Sequence, residues 1–317
     1  MNFPVFDLHC DTAYALLGSD HNSAGSLRKN ELHIDLERTK TLGGYAQCFA
    51  CFTTPMMEEW YRVSPVVMFE RELATIQREV DKNKRYIAIA YQPGDIQRNL
   101  EKGKASAILT IEGPAGFGYA PELLEDLSLI GFRMTTLTWN EKNPLAGSHQ
   151  TGGGLTDQGR EFVKEAQRLG MLIDVSHLSD EAFWDVINVT NAPIVASHSN
   201  SRSVCAVSRN LSDDMFRAIC QTGGVVGFNQ CAPFVGENSD LDLACDHILH
   251  FLTMDPEGKH IALGGDLDGC DELTGGFEGI QCYPALAGRL MARGVSEELV
   301  MNIYWNNALG VMEKCCT

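Results

Sequence analysis

The feature that most constrains this chain is a rhythm. Eight short apolar runs recur along its 317 residues, separated by stretches of helical periodicity. The runs are Val5 to His9, Gly44 to Phe52, Ala105 to Glu112, Met134 to Thr138, Met171 to Val175, Pro193 to Ser197, Gly224 to Phe228 and His260 to Gly264. They read as nearly continuous apolar segments rather than apolar–polar alternations, the pattern of parallel strands buried on both faces. Between them, Pro65 to Lys82 carries Val66, Phe69, Leu73, Ile76 and Val80 at three-to-four spacing, with Pro65 suited to a first helical turn. Further helices are expected over Pro121 to Ile130, after Thr156, after Ser179, after Ser212, near Leu241 to Leu252, over Pro284 to Arg293 and over Ser296 to Val311. Thr156, Ser179, Ser212 and Ser296 can each cap the helix that follows, and Gly170 and Gly223 can stop two of them. No Pro/Ser-rich linker and no internal repeat interrupts the alternation, so residues 1–317 are expected to form a single (β/α)8 barrel domain with C-terminal helices. An open doubly wound sheet is the main alternative, but no G-x-G-x-x-G follows the first run.

Composition narrows the function by exclusion. A formal net charge of −17 and the absence of a basic run argue against a nucleic-acid surface. No apolar stretch reaches membrane-spanning length, and Met1-Asn2-Phe3-Pro4 lacks the basic start of a signal peptide, so a cytoplasmic protein is expected. A homodimer stays open. The eleven cysteines are scattered and odd in number, and Cys48 and Cys51 form a lone C-x-x-C with no matching second pair. They are expected to be reduced thiols.

In a barrel of this kind chemistry sits where the strands end. There the runs close on chemically loaded residues: His9 and Asp11 after the first, Glu112 after the third, His177 after the fifth, His198 after the sixth, and Asp266 and Asp268 after the eighth. In an extended segment His9 and Asp11 would point to the same side. Any one of these residues is ordinary as a cap or a satisfied polar group. Gathered at one mouth, three histidines and several carboxylates need a compensating charge. A catalytic zinc takes about three protein ligands plus water. His9, Asp11, Glu112, His177 and His198 suffice for two ions if one ligand is shared, and Glu112 is the natural bridge because a carboxylate offers two oxygens. Two such ions, roughly 3.5 Å apart, can share a hydroxide and polarise a carbonyl. Zinc suits the donor set, with manganese or cobalt as alternatives.

These residues, in this order, resemble the membrane dipeptidase (renal dipeptidase) family, peptidase family M19. The matching pieces are Asp7-Leu8-His9-Cys10-Asp11-Thr12, Ile111-Glu112-Gly113, Ile173-Asp174-Val175-Ser176-His177, Ser197-His198-Ser199, Arg209-Asn210, Asp213-Asp214 and Gly264-Gly265-Asp266-Leu267-Asp268-Gly269. The resemblance implies a (β/α)8 barrel holding two Zn²⁺ per chain. His9 and Asp11 would bind one, His177 and His198 the other, with Glu112 between them. It assigns Asp266 as the acid/base carboxylate and Arg209 as the partner of the substrate's carboxylate, a role that fits a fixed charge with two-pronged geometry. The sequence departs from the family after the fourth run, where Trp139 stands in place of a histidine thought to contact the oxygen of the scissile carbonyl. The Trp139 indole N–H or the Asn140 amide could donate there instead, and His149 could swing in.

The expectation is a dizinc metallodipeptidase. A metal-bridging hydroxide would attack the peptide carbonyl, Asp266 would pass a proton to the leaving amine and Arg209 would hold the C-terminal carboxylate of an L-Xaa-L-Xaa or L-Xaa-D-Xaa dipeptide. The rivals are another dinuclear amidohydrolase acting on a different amide or a lactone, and a non-catalytic barrel. The first more often opens with His-x-His and bridges through a modified lysine on the fourth strand, and the fourth run has no lysine. The second would show a broken ligand set, and none is broken. Phe117 and Tyr119 are expected to line the pocket, Asp174 to support the ligands from behind, and His247 and His250 to pack or face solvent.

Overall fold

A computed structural model describes residues 2–19, 21 and 25–316, so the polar stretch 18–31, rich in Ser and Asn, lies partly outside them. Among the described residues are nine strands, all paired in parallel: β1 (Val5–Cys10), β2 (Tyr45–Phe52), β3 (Ile87–Ile89), β4 (Ala105–Glu112), β5 (Phe132–Thr136), β6 (Leu172–Asp174), β7 (Ile194–Ala196), β8 (Val225–Phe228) and β9 (Ile261–Leu263). β2 pairs with β4 and β1 with β9, which closes eight of them into the expected (β/α)8 barrel. The strands are buried along almost their whole length, which is why they read as apolar runs.

Thr156, Ser179, Ser212 and Ser296 each accept a hydrogen bond from the backbone N–H three residues on, capping the helices Asp157–Arg168, Asp180–Val189, Asp213–Thr222 and Glu297–Met301. The last of these does not run on unbroken: a π turn over Asn302–Asn306 separates it from the helix Asn307–Cys315. Several short elements escape the sequence reading, among them the helices Thr12–Ala15, Met57–Tyr61 and Ala232–Val235, and two others stand out. β3 is a three-residue strand on the edge of β4 outside the eight-strand closure, and the helix Pro93–Glu101 follows it. Pro93-Gly94 looks like a turn, yet Pro93 occupies the helix start, where a missing N–H costs nothing, and Asp95 accepts from Gln92 N at 3.1 Å.

The C-terminal segment plugs the floor of the barrel. Asn307 donates to Gly258 O and Ile261 O, Lys314 to Gly223 O and Cys315 to Pro193 O, so the segment crosses the beginnings of β9, β8 and β7 in turn. Trp305, Ala308, Val311 and Met312 join one apolar cluster with Phe6, Ile108, Leu172 and Val195. With the floor closed, the mouth at the strand C-termini is the open end. No helix among the described residues is long and apolar enough to cross a membrane.

All eleven cysteines are free. Cys48 and Cys51 lie in different apolar clusters, because residues three apart on a strand face opposite sides, so the C-x-x-C is not a pair.

Candidate metal centre and substrate cavity

Glu112, the last residue of β4, lies between two groups of donors. Its Oε1 is 2.9 Å from His177 Nε2 and 3.8 Å from His198 Nε2, and its Oε2 is 3.3 Å from His9 Nε2. All of these side chains are buried.

His9 and Asp11 meet, but not as neighbours on one face of a strand. β1 is irregular: Asp7 pairs with Gln47 and Cys10 with Phe49, so β1 spends one residue more than β2 over this span. Such a bulge re-aims side chains at the rim of a barrel. Asp11 lies past the strand as the N-cap of the short helix Thr12–Ala15, and its Oδ2 is 3.2 Å from His9 Nε2. Behind them, Asp7 accepts from His9 N at 3.0 Å, from Gly265 N at 3.1 Å and from the Tyr283 hydroxyl, tying β1 to the end of β9. Burial pushes the Asp7 carboxyl up.

His177 and His198 come from the ends of β6 and β7. Asn140 Oδ1 can only accept, so at 3.0 Å it takes the proton of His177 Nδ1. Ser197 Oγ donates to Asp174 Oδ2 and lies 2.6 Å from His198 Nδ1, from which it therefore accepts. Each imidazole thus turns an unprotonated Nε2 inward, and the two atoms are 3.0 Å apart with Glu112 Oε1 beside them. Two lone pairs and a carboxylate oxygen this close repel unless a cation sits among them. The acceptor behind each ring sets the tautomer, as it does for metal-bound histidine.

Asp266 follows β9. Its Oδ1 is 3.9 Å from His9 Nε2, and its Oδ2 accepts from Asn229 Nδ2 at 3.0 Å. His177, Asp266 and Asp268 all have left-handed backbones, with φ of 70°, 56° and 68°. Non-glycine residues in this region cost energy and gather at functional sites. Gly269 closes over the cluster, and a Cβ there would overlap the carboxylates of Asp11 and Asp266. Asp268 faces elsewhere: it accepts from Thr12 Oγ1 and from His33 N, both at 2.6 Å, and holds the neighbouring loop.

Arg209 is buried. One guanidinium nitrogen, Nη1, donates to Ser199 Oγ at 2.8 Å, while Nε and Nη2 have no partner. Its guanidinium carbon lies 5.6 Å from the ring centre of Phe234. A buried guanidinium with two free donors is costly unless an anion arrives to meet them.

Asp11, Glu112, His177 and Asp266 border a cavity of about 510 Å³, also lined by Tyr14, Phe52, Trp139, Asn140, Phe234 and Glu272, with Arg209 set behind this lining next to Phe234. Trp139 packs edge-on against Phe52 and Trp60, at 5.1 and 5.9 Å between ring centres, and forms an aromatic wall. Asn140 serves as an acceptor for two imidazoles, since His149 Nε2 lies 2.9 Å from the same Oδ1. His149 is fixed at its other nitrogen by Ser208 Oγ at 3.0 Å, and burial with Arg209 nearby lowers its pKa to about 4. Phe117 is not a pocket residue: it stacks on Phe162 and packs on Phe69 behind β4, and Tyr119 is likewise absent from the lining. His247 is buried, with Nε2 on Val235 O and Nδ1 accepting from Ser201 N. Sequence reading missed Asn229, although a polar residue closing the seventh apolar run carried the same signal as the others.

The electrostatics match a cation site. Burial, with Asp11 and Asp266 close by, pushes the Glu112 carboxyl up to about 8. Burial opposes a charge on His9, yet Glu112 and Asp11 outweigh it and hold His9 well above its usual range. Burial holds His177 and His198 well below theirs, with Arg209 adding to the effect at both. Among the described residues, donor atoms of His9, Glu112 and His198 lie within 4.8 Å of one another, as do those of His9, Asp11 and Asp266. The donors fit divalent cations: nitrogen and oxygen ligands, bare inward lone pairs, and an otherwise unpartnered buried Asp11 Oδ1.

A (β/α)8 barrel with histidines and carboxylates converging on its mouth defines a metal-dependent hydrolase. More narrowly, the family model for membrane dipeptidase, peptidase family M19, matches residues 1–316, and the chain belongs to that family of metallodipeptidases. An uncharacterised dipeptidase of Schizosaccharomyces pombe is 33% identical over 225 residues, covering 69% of this chain and 55% of the relative, so the chain matches about half of that protein's length. The dipeptidase verJ of Clonostachys rogersoniana is 28% identical over 98% of this chain and 84% of its own. Among solved structures, a metallopeptidase of Rhodobacter sphaeroides, liganded with a phosphinate mimic of the dipeptide L-Ala-D-Ala, superposes with a TM-score of 0.89. It covers 99% of this chain and all of its own at 23% identity, a likeness of fold.

Proposed function

We propose that this protein hydrolyses dipeptides with two divalent cations, zinc by preference, held by His9 and Asp11 on one side and His177 and His198 on the other, with Glu112 shared. The observation that carries the reading is Arg209: a buried guanidinium with two unpartnered nitrogens beside a cluster of inward-facing donors. A dipeptide has its carboxylate one residue from the scissile bond, so a fixed carboxylate receptor beside the metals measures out this substrate and disfavours longer peptides.

When bound, the two ions supply Lewis-acid polarisation and a water of lowered pKa. The chain's residues do the rest. Arg209 meets the substrate's carboxylate, and Phe234 covers one flank of the guanidinium. Asp266, held through one oxygen by Asn229, keeps the other free to take a proton and pass it to the leaving amine. Burial raises the Asp266 pKa, which suits a group that must carry a proton. The aromatic wall of Phe52, Trp60 and Trp139 excludes water and favours an apolar side chain on the substrate. Asn140 acts through His177, holding its Nδ1 proton and so positioning the ring, and Trp139 stands where the family resemblance places a histidine. The L-Ala-D-Ala mimic in the Rhodobacter sphaeroides peptidase supports acceptance of a D residue at the C-terminal position.

The test is a panel of L-Xaa-L-Xaa and L-Xaa-D-Xaa dipeptides with zinc-loaded protein, each paired with its C-terminal amide. Cleavage of the acids with strong loss for the amides supports the reading. No cleavage of any dipeptide, or equal turnover of acid and amide, refutes it.

A further inference from the structure

Outside the proposed dinuclear set, two cysteines have come together beside Asp266 at the cavity. Cys231 follows β8 and Cys270 follows β9, and both border the same 510 Å³ space. Among the described residues, one donor atom each from Cys231, Cys270 and Asp266 lies within 4.8 Å of the other two. The arrangement is held by backbone as well as by side chains. Cys231 N donates to Asn229 Oδ1 at 2.6 Å, Ala232 N donates to Glu272 O at 2.9 Å, and Cys231 and Leu273 form an antiparallel bridge. Cys270 Sγ lies 3.4 Å from Asp266 O. Asn229 therefore fixes both Asp266 and Cys231, one through each end of its amide. Neither thiol is in a disulfide, Cys231 is buried and Cys270 is half-buried.

We propose that Cys231, Cys270 and Asp266 form a third cation site, selective for thiophilic divalent ions, whose occupation inhibits the enzyme. Two sulfurs and one oxygen make a softer set than the imidazoles and carboxylates of the dinuclear centre, so the site favours zinc or cadmium and discriminates against magnesium and calcium. Three protein ligands with the fourth position open to the cavity match a tetrahedral ion that keeps a water. Binding replaces the two thiol protons with the ion, releasing them to solvent. The inhibitory effect rests on the proton-transfer role proposed for Asp266: a carboxylate committed to a cation no longer passes a proton. The protein would thus turn over best at a zinc level that fills the first two sites and leaves the third empty.

The test titrates cadmium into zinc-loaded, reduced protein and reads two quantities. The first is the ultraviolet cadmium–thiolate charge-transfer absorption, which reports the sulfurs alone and does not depend on activity. It is expected in the wild type and lost in both C231S and C270S, with circular dichroism confirming that each variant is folded. No thiolate absorption on saturation, or full absorption in both folded variants, overturns the site. The second is inhibition of turnover by cadmium or excess zinc, expected to weaken about tenfold or more in either variant, the scale of losing a metal-site partner. Thiolate absorption lost in the variants together with unchanged inhibition overturns the inhibitory role. If no dipeptide is cleaved at all, the substrate reading has failed, and the absorption arm still decides the site.

Discussion

On one side of Glu112 a single imidazole, His9, faces the carboxylates of Glu112, Asp11 and Asp266. On the other, two imidazoles point bare nitrogens at each other, with Arg209 near enough to disfavour a proton on either. The first half would attract a cation by charge, with a proton on His9 as the competitor that burial does not remove. The second would attract one by lone pairs whose direction is set from behind, by Asn140 on His177 and by the Asp174–Ser197 pair on His198. Two adjoining sites, as proposed, would reach similar ligand counts by different physics. One depends on the carboxylates themselves, the other on the hydrogen bonds that hold neutral rings in one tautomer.

Removing the shared carboxylate should break both halves together. Glu112→Ala is expected to lower kcat/KM by about a thousandfold or more, the several kcal/mol a catalytic metal supplies. Arg209→Ala should cost about a hundredfold or more in kcat/KM, the loss expected when one partner of a buried charge pair is truncated, while bound metal per chain stays unchanged. Arg209→Lys should recover little, because it keeps the charge and loses the fork. Metal affinity and steady-state kinetics measured on the same preparations separate these two classes.

Finer changes sharpen the contrast. Asn140→Ala and Asp174→Asn should each weaken one metal equivalent by about 10–100-fold and leave the other in place, because only the His177–His198 half leans on such supports. Equal weakening of both equivalents would show that the halves are not independent. Stripping the ions should also have a thermal effect. At a thousandfold excess over Kd each bound ion stabilises the native state by about 4 kcal/mol, so removing both should lower Tm by roughly ten degrees or more.

The alternation of apolar runs made the eight barrel strands legible, since strands buried on both faces advertise themselves in composition. Short elements were less so. β3 is only three residues long, and the helix after it begins with a Pro-Gly pair that imitates a turn. At the site, residues that directly follow an apolar run could be found because the barrel forces strand ends to one mouth. The local reason for one pairing was nevertheless different. His9 and Asp11 meet through a bulge and a helix cap, since periodicity cannot register one extra residue in a strand. Residues that act through others were harder to see. Asn140 looks like a donor to substrate until its oxygen is found between two imidazoles, and Asn229 looks like any loop amide until Asp266 and Cys231 are placed on it. Contacts between loops far apart in sequence leave no spacing to read.

If two cations share Glu112, counting them will show it. Protein stripped with a chelator, reloaded with zinc to saturation of the two tightest sites and freed of excess ion should hold two equivalents per chain. His9→Ala should retain one, His198→Ala should retain one, and Glu112→Ala should retain none at the same free zinc. A single equivalent in the wild type, or two in Glu112→Ala, would contradict the account.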